Sequence, residues 1–191
     1  SGDRILRFFI RLNRAVWHLE VGELDQARAD FKDAAPVIEG KTARNLHTFY
    51  FLNEGELCLS TFDLPGARAS NETAERLLVP TSPQAFQTIV NAGLGLCALQ
   101  SGDLSEARRR ENHLPHLPDR WRFDPSIVVF LKANMLRRRG DYSAADSLLA
   151  AVADDIKGRL VTAWIKISLE RARRLKAGDQ RDRLRLLEEV L

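Results

Sequence analysis

The chain has 191 residues, 45% hydrophobic and 29% charged, a length for one domain or one elongated array and a composition that excludes disorder and fibrous structure. Its 29 basic and 26 acidic residues leave a net charge of +3, too small an excess to imply nucleic acid by itself. No run of about 18 uncharged apolar residues is present, since residues 127–131 stop at Lys132 and 94–99 at Gln100 and Asp103, so a membrane span is excluded and a soluble protein is expected. The two cysteines, Cys58 and Cys97, form no Cys-x-x-Cys pair and point to a reducing cytoplasm. Only six of the basic residues are lysine, an arginine bias that points to a GC-rich bacterial source.

The first predicted helix, 3–21, carries Arg4, Arg7 and Arg11 among its apolar residues and is no signal peptide. It ends at Gly22, where a short phrase begins that recurs along the chain. The copies are Gly22-Glu23-Leu24-Asp25-Gln26-Ala27, Phe62-Asp63-Leu64-Pro65-Gly66-Ala67, Gly102-Asp103-Leu104-Ser105-Glu106-Ala107 and Gly140-Asp141-Tyr142-Ser143-Ala144-Ala145, with a degenerate copy at 178–183. Their starts lie 40, 40, 38 and 38 residues apart.

Each phrase reads as the corner of a helical hairpin. Glycine ends the first helix by accepting a left-handed backbone, and the following aspartate, or Asp25 and Ser105 nearby, caps the second. Leu24, Leu64, Leu104 and Tyr142 are expected to pack across the corner. Twelve residues before each corner alanine stands another small residue, pairing Ala15 with Ala27, Gly55 with Ala67, Gly95 with Ala107 and Ala133 with Ala145. Two helices approach closely only where both are small, so these pairs mark where the helices of each hairpin touch.

The expected first helices are 3–21, 43–61, 83–101, 125–139 and 158–177. The second helices are 24–38, 64–78, 104–114, 142–156 and 180 onward. Gly40, Pro80 with Pro83, and Pro115, Pro118 and Pro125 separate the hairpins. The all-α chain then divides into repeats at about 3–40, 41–80, 83–118, 124–157 and 158–191, forming a single array. The last repeat carries no stop signal, and Ser1-Gly2 reads as a cloning remnant, so a piece of a longer chain is expected.

Small residue, glycine seven later, leucine or aromatic, then alanine resembles the tetratricopeptide repeat. The longer period resembles repeats of the MalT-like sensor arm of LuxR-type bacterial regulators. Phe31 and Ala34 match further family positions, whereas Asn71, Glu111 and Leu149 depart from the aromatic one. The resemblance implies a right-handed superhelical solenoid of about five antiparallel hairpins. It also implies a concave face lined by Phe9, Leu12, Val16 and Leu19; Phe49, Leu52, Glu56 and Leu59; Ile89, Ala92, Leu96 and Leu99; and Ile127, Phe130, Asn134 and Arg137. Asn13 and Asn53, two residues before the small residue, are candidates to clamp a peptide backbone. The same stripe read one position over is core, and Arg11, Arg14, His18, Glu54 and Asn91 stand where the family buries residues.

Chemistry finds little support. His113-Leu114-Pro115-His116 has usable metal spacing but no second ligand pair. The cysteines lie among leucines with nothing to activate them. Gly93-Leu94-Gly95 and Gly40-Lys41-Thr42 lack the strand and glycines of a phosphate loop. No catalytic residue, metal or cofactor is therefore expected.

The expected activity is non-catalytic binding of a protein or peptide segment, of another part of the same chain, or of a second copy, within a regulatory protein. A small effector is a further candidate. The alternative is an anion or nucleic acid held by arginines 108–110, 137–139, 171, 173 and 174 with Lys176 and 181, 183 and 185. Interleaved Asp141, Asp146, Asp154, Asp155, Glu188 and Glu189 favour a solvated face over that alternative.

Overall fold

The computed structural model describes residues 2–38, 44–114 and 125–157, together with 163, 166–168, 170 and 171. Every regular element among them is an α-helix: α1 (Gly2–Glu20), α2 (Leu24–Ile38), α3 (Arg44–Ser60), α4 (Leu64–Leu77), α5 (Gln84–Gln100), α6 (Leu104–Asn112), α7 (Ser126–Arg138) and α8 (Tyr142–Ile156). The bounds follow the expected helices closely, except that α6 ends at Asn112, two residues early. Of the fifth hairpin only 163, 166–168, 170 and 171 are described, all helical, and its corner at 178–183 lies outside the described residues. The chain divides into two compact units, 1–113 and 114–191.

The four corners share one backbone geometry. Gly22, Gly102 and Gly140 have φ of 83°, 84° and 82°, and Phe62 takes the same role at 58°. At each, the corner N–H reaches a carbonyl three residues back and the next N–H one five back, as in Gly102 to Leu99 (3.3 Å) and Asp103 to Ala98 (2.9 Å). This pair of hydrogen bonds satisfies carbonyls that a helix end would otherwise leave open. Asp63, Asp103 and Asp141 then accept from the N–H groups of Gly66, Glu106 and Ala144, each at 3.0 Å, and cap the second helix.

Three expectations at the corners need correction. Asp25 lies in the first turn of α2, one position beyond the corner leucine, while Glu23 stands at the cap position and meets His18 Nδ1 at 2.6 Å. Ser105 donates to Asp103 Oδ1 (2.8 Å) and so braces the cap. Leu104 and Tyr142 are exposed; the Tyr142 ring lies under the Arg137 guanidinium at 5.0 Å, a cation–π contact in place of apolar packing.

In the first unit α1 packs on α2, α3 on α4 and α5 on α6, and consecutive hairpins meet through α2 with α3 and α4 with α5. The first helices also touch, α1 with α3 and α3 with α5, and form one layer. All four predicted small pairs are buried. One core cluster joins Phe8, Leu12, Ala15, Leu19, Ala27, Phe31, Ala34, Tyr50 and Leu57; a second joins Leu52, Ala74, Val90 and Leu94. In the second unit α7 packs on α8, with Val128, Leu131, Met135, Leu149 and Ile156 buried.

The seam between the second and third hairpins is built on Asn71. This side chain is buried, donates Nδ2 to the Ala67 carbonyl (2.8 Å) and lies against both Gly55 of α3 and Gly93 of α5. A Cβ on Gly55 would come within 2.5 Å of Nδ2, and one on Gly93 would collide with Oδ1.

Two outcomes are expected in urea denaturation. Gly93→Ala destabilises the chain by about 2 kcal/mol, and adding Asn71→Ala removes most of that penalty, because the overpacking is relieved. Phe62→Gly raises the unfolding free energy by about 1 kcal/mol, since the left-handed backbone costs a phenylalanine roughly that much and its ring buries little.

Candidate functional site

On the layer of first helices, Phe9 of α1, Phe49 of α3 and Ile89 of α5 repeat at a step of 40 residues and are all at least partly exposed. Phe9 meets Phe8 edge-on at 5.9 Å between ring centres, and Phe49 stacks on Phe86 at 6.3 Å. Asn13 is exposed one turn along α1, and Asn53 is half-buried at the matching place on α3. Asn53 Nδ2 donates to its own helix at the Phe49 carbonyl (2.7 Å), which leaves the amide oxygen and second N–H hydrogen for other partners. Val16 and Glu56 border the ridge and are half-buried.

The remaining predicted lining residues part from this ridge. Leu12, Leu19, Leu52, Ala92, Leu96 and Leu99 are buried and belong to the core; Leu59 is half-buried. The helix α5 explains Leu96: every position from Ala92 to Leu99 is buried, and a helix apolar on all sides has no outward stripe to offer there. In the second unit Ile127, Phe130, Asn134 and Arg137 of α7 are all half-buried. Asn134 Nδ2 donates to the Phe130 carbonyl (2.8 Å), as Asn53 does to Phe49.

The polar residues that interrupted the expected buried face bind between helices. Arg14 makes a two-pronged ion pair with Asp30, one prong at 2.7 Å, and its hydrogen bonds hold that buried carboxylate below its usual pKa. Arg11 reaches the Asp33 carbonyl at 2.9 Å. Glu54 lies 2.9 Å from the Tyr50 hydroxyl and 2.8 Å from Ser70 Oγ, tying α3 to α4. Arg110, buried on α6, bonds Glu106 (2.7 Å), Glu75 of α4 and Asn91 of α5 (3.2 Å). Burial opposes its charge, but the carboxylates outweigh burial and raise its pKa. The partners on other helices lie 16 to 35 residues away, so no local pattern announced them, whereas Tyr50 with Glu54 and Glu106 with Arg110 are four apart on one helix.

Arginines 109, 110 and 137 of the runs are paired within the protein. Arg109 is held by both oxygens of Glu106 at 2.6 Å, and Arg137 pairs with Asp146 at 3.3 Å besides covering Tyr142. The groups at 173, 174, 176, 181, 183 and 185 lie outside the described residues, as does His116. His113 Nδ1 lies 2.7 Å from the Arg109 carbonyl. Among the described residues no three His, Cys, Asp or Glu side chains converge as a metal site would require. Burial pushes both thiols up to about 11, so both are protonated at neutral pH. No described helix is long and apolar enough to cross a membrane.

Neither a family model, nor a curated protein, nor a solved structure matches this chain.

The Glu106 carboxyl is held down to about 2, chiefly by the Arg109 hydrogen bond and then by Arg110. A depressed carboxyl pKa stabilises the fold above the unfolded value and loses that contribution as pH falls toward the folded one. Stability should therefore fall from roughly pH 4.5 toward 2, and Glu106→Gln should start lower at neutral pH and show a shallower acid slope in pH-dependent urea unfolding. Arg110→Met should cost about 2 kcal/mol by the same measurement, since it leaves Glu75, Glu106 and Asn91 without their shared donor.

Proposed function

We propose that this chain is a tetratricopeptide-like right-handed solenoid of about five hairpins that binds a protein or peptide segment without catalysis. In this reading it is an arm of a cytoplasmic bacterial regulatory protein. The observation that carries the proposal is the ridge of Phe9, Phe49 and Ile89, repeated at 40-residue steps across touching first helices, with Asn13 and Asn53 beside it. A segment lying across α1, α3 and α5 would meet an apolar step on each helix and an amide on the first two. Such an arrangement recognises an extended backbone together with apolar side chains.

The internal pairing of Arg109, Arg110 and Arg137 works against the anion-binding alternative, because a guanidinium already held by carboxylates has less to offer a phosphate. Ridge recognition by apolar contact and amides should persist at high salt, whereas phosphate binding falls steeply with salt.

The test is capture from a bacterial lysate with the wild-type chain and with Phe9→Asp, at low and high salt. A defined protein retained at high salt by the wild type, and lost by Phe9→Asp with unchanged circular dichroism and melting, is the expected result. Nucleic acid retained only at low salt, equally by both chains, would replace this reading with the arginine face.

A further inference from the structure

Helix α1 carries a second apolar stripe, separate from the ridge, formed by Leu6, Ile10, Trp17 and Val21. The spacings of four, seven and four put the four side chains along one side of the helix. All four are more than half exposed.

The periodicity shows what these positions do elsewhere. Forty residues on, Ile10 becomes Tyr50 and then Val90, and Trp17 becomes Leu57 and then Cys97. Exposure drops from 57% at Ile10 to 3% at Tyr50 and 1% at Val90, and from 54% at Trp17 to 4% at Leu57 and 3% at Cys97. Leu6 becomes Leu46 and Phe86, both half-buried, and Val21 becomes Thr61, half-buried, and Ser101, exposed, so the covered surface ends short of the last position.

The covering element is the same in both later repeats. On α3 it is α2: the Phe31 ring meets Tyr50 edge-on at 5.6 Å, and the Tyr50 hydroxyl lies 3.2 Å from the Phe31 carbonyl. On α5 it is α4: Ala74 and Val90 share one core cluster, and Asn71 lies against Gly93. The surface on which a first helix receives the second helix of the preceding repeat thus occurs three times in this unit and is filled twice.

We propose that the α1 stripe is the seat for the second helix of one further repeat, carried ahead of Asp3 by the same polypeptide. The occupant is an amphipathic helix of the α2 and α4 kind, with its corner phrase one period before Gly22. A second copy of the chain is the weaker occupant. Four side chains on one helix fall well short of the roughly 800 Å² per partner of a stable dimer, whereas a tethered helix docks intramolecularly and needs no such area. This inference rests on the repeat register and stands whether or not the ridge binds a peptide.

The test places a reporter cysteine in the stripe, Ile10→Cys, and a control at exposed Ser147→Cys, and reads maleimide labelling peptide by peptide, which separates both from Cys58 and Cys97. It compares the 191-residue chain with the natural chain continued upstream by one period. Ile10→Cys should label as fast as the control in the shorter chain. In the longer one it should label at least about tenfold more slowly with the control unchanged, the protection of a helix docked more than nine-tenths of the time. Equal labelling in the longer chain, or a natural chain with no further repeat upstream, overturns the proposal. Protection that grows with concentration in the shorter chain also overturns it and assigns the stripe to a second copy.

Discussion

Three helices of the first unit are held at a separation fixed by one buried amide. Asn71 occupies the space left by the missing side chains of Gly55 and Gly93, so α3, α4 and α5 meet through a single residue. One amide hydrogen is spent on the Ala67 carbonyl (2.8 Å), and Oδ1 accepts nothing from the protein. A buried acceptor left that way costs about 1–3 kcal/mol. The seam nevertheless closes because the two glycines let the helices approach further than an aromatic at this position would allow. In the first repeat the equivalent position is Phe31, buried against Tyr50, and there the space is filled by ring contact. One repeat position is thus solved by bulk in one seam and by closeness in the next.

The polar pairs follow the same logic of one position and differing chemistry. The residue before each small residue and the residue three beyond each corner alanine face each other across a hairpin. They read Arg14 with Asp30, then Glu54 with Ser70. In the third repeat the first member is Leu94, buried, and the second, Arg110, reaches instead Asn91, three residues earlier on α5 (3.2 Å). Its carboxylate partners are Glu75 of the preceding hairpin and Glu106 on its own helix. A buried charge must be paired, so this arginine fixes which hairpin lies beside the third one. Apolar seams alone would tolerate a shifted neighbour, and a charge that finds its carboxylates in only one register does not.

The corners and the small pairs were legible because each imposes a narrow chemical demand: a positive φ on Gly22, Gly102 and Gly140, and a missing side chain where helices touch. Phe62 became visible as a corner only through the spacing of its neighbours Asp63, Leu64 and Ala67. The division between ridge and core was not legible. Adjacent positions on a helix differ by about 100°, and whether Leu12 or Phe9 is covered depends on how far the next hairpin reaches. Asn71 looked like a departure from the repeat because its role exists only together with Gly93, 22 residues away. Ala74, three residues on, keeps the alanine that Ala34 supplies in the first repeat.

Taking up charge in the seams also determines what remains for the ridge. Arg14, Glu54 and Arg110 would be charged groups on the first-unit surface if they were unpaired; pairing turns them inward or neutralises them. What is left along Phe9, Phe49 and Ile89 is apolar, bordered by amides and by Glu56. On α7 the corresponding positions run Ile127, Phe130 and Asn134 to Arg137, whose charge is already shared with Asp146 and the Tyr142 ring. A ligand chosen by such surfaces is selected by shape and backbone hydrogen bonding, and a net charge of +3 says little about its sign.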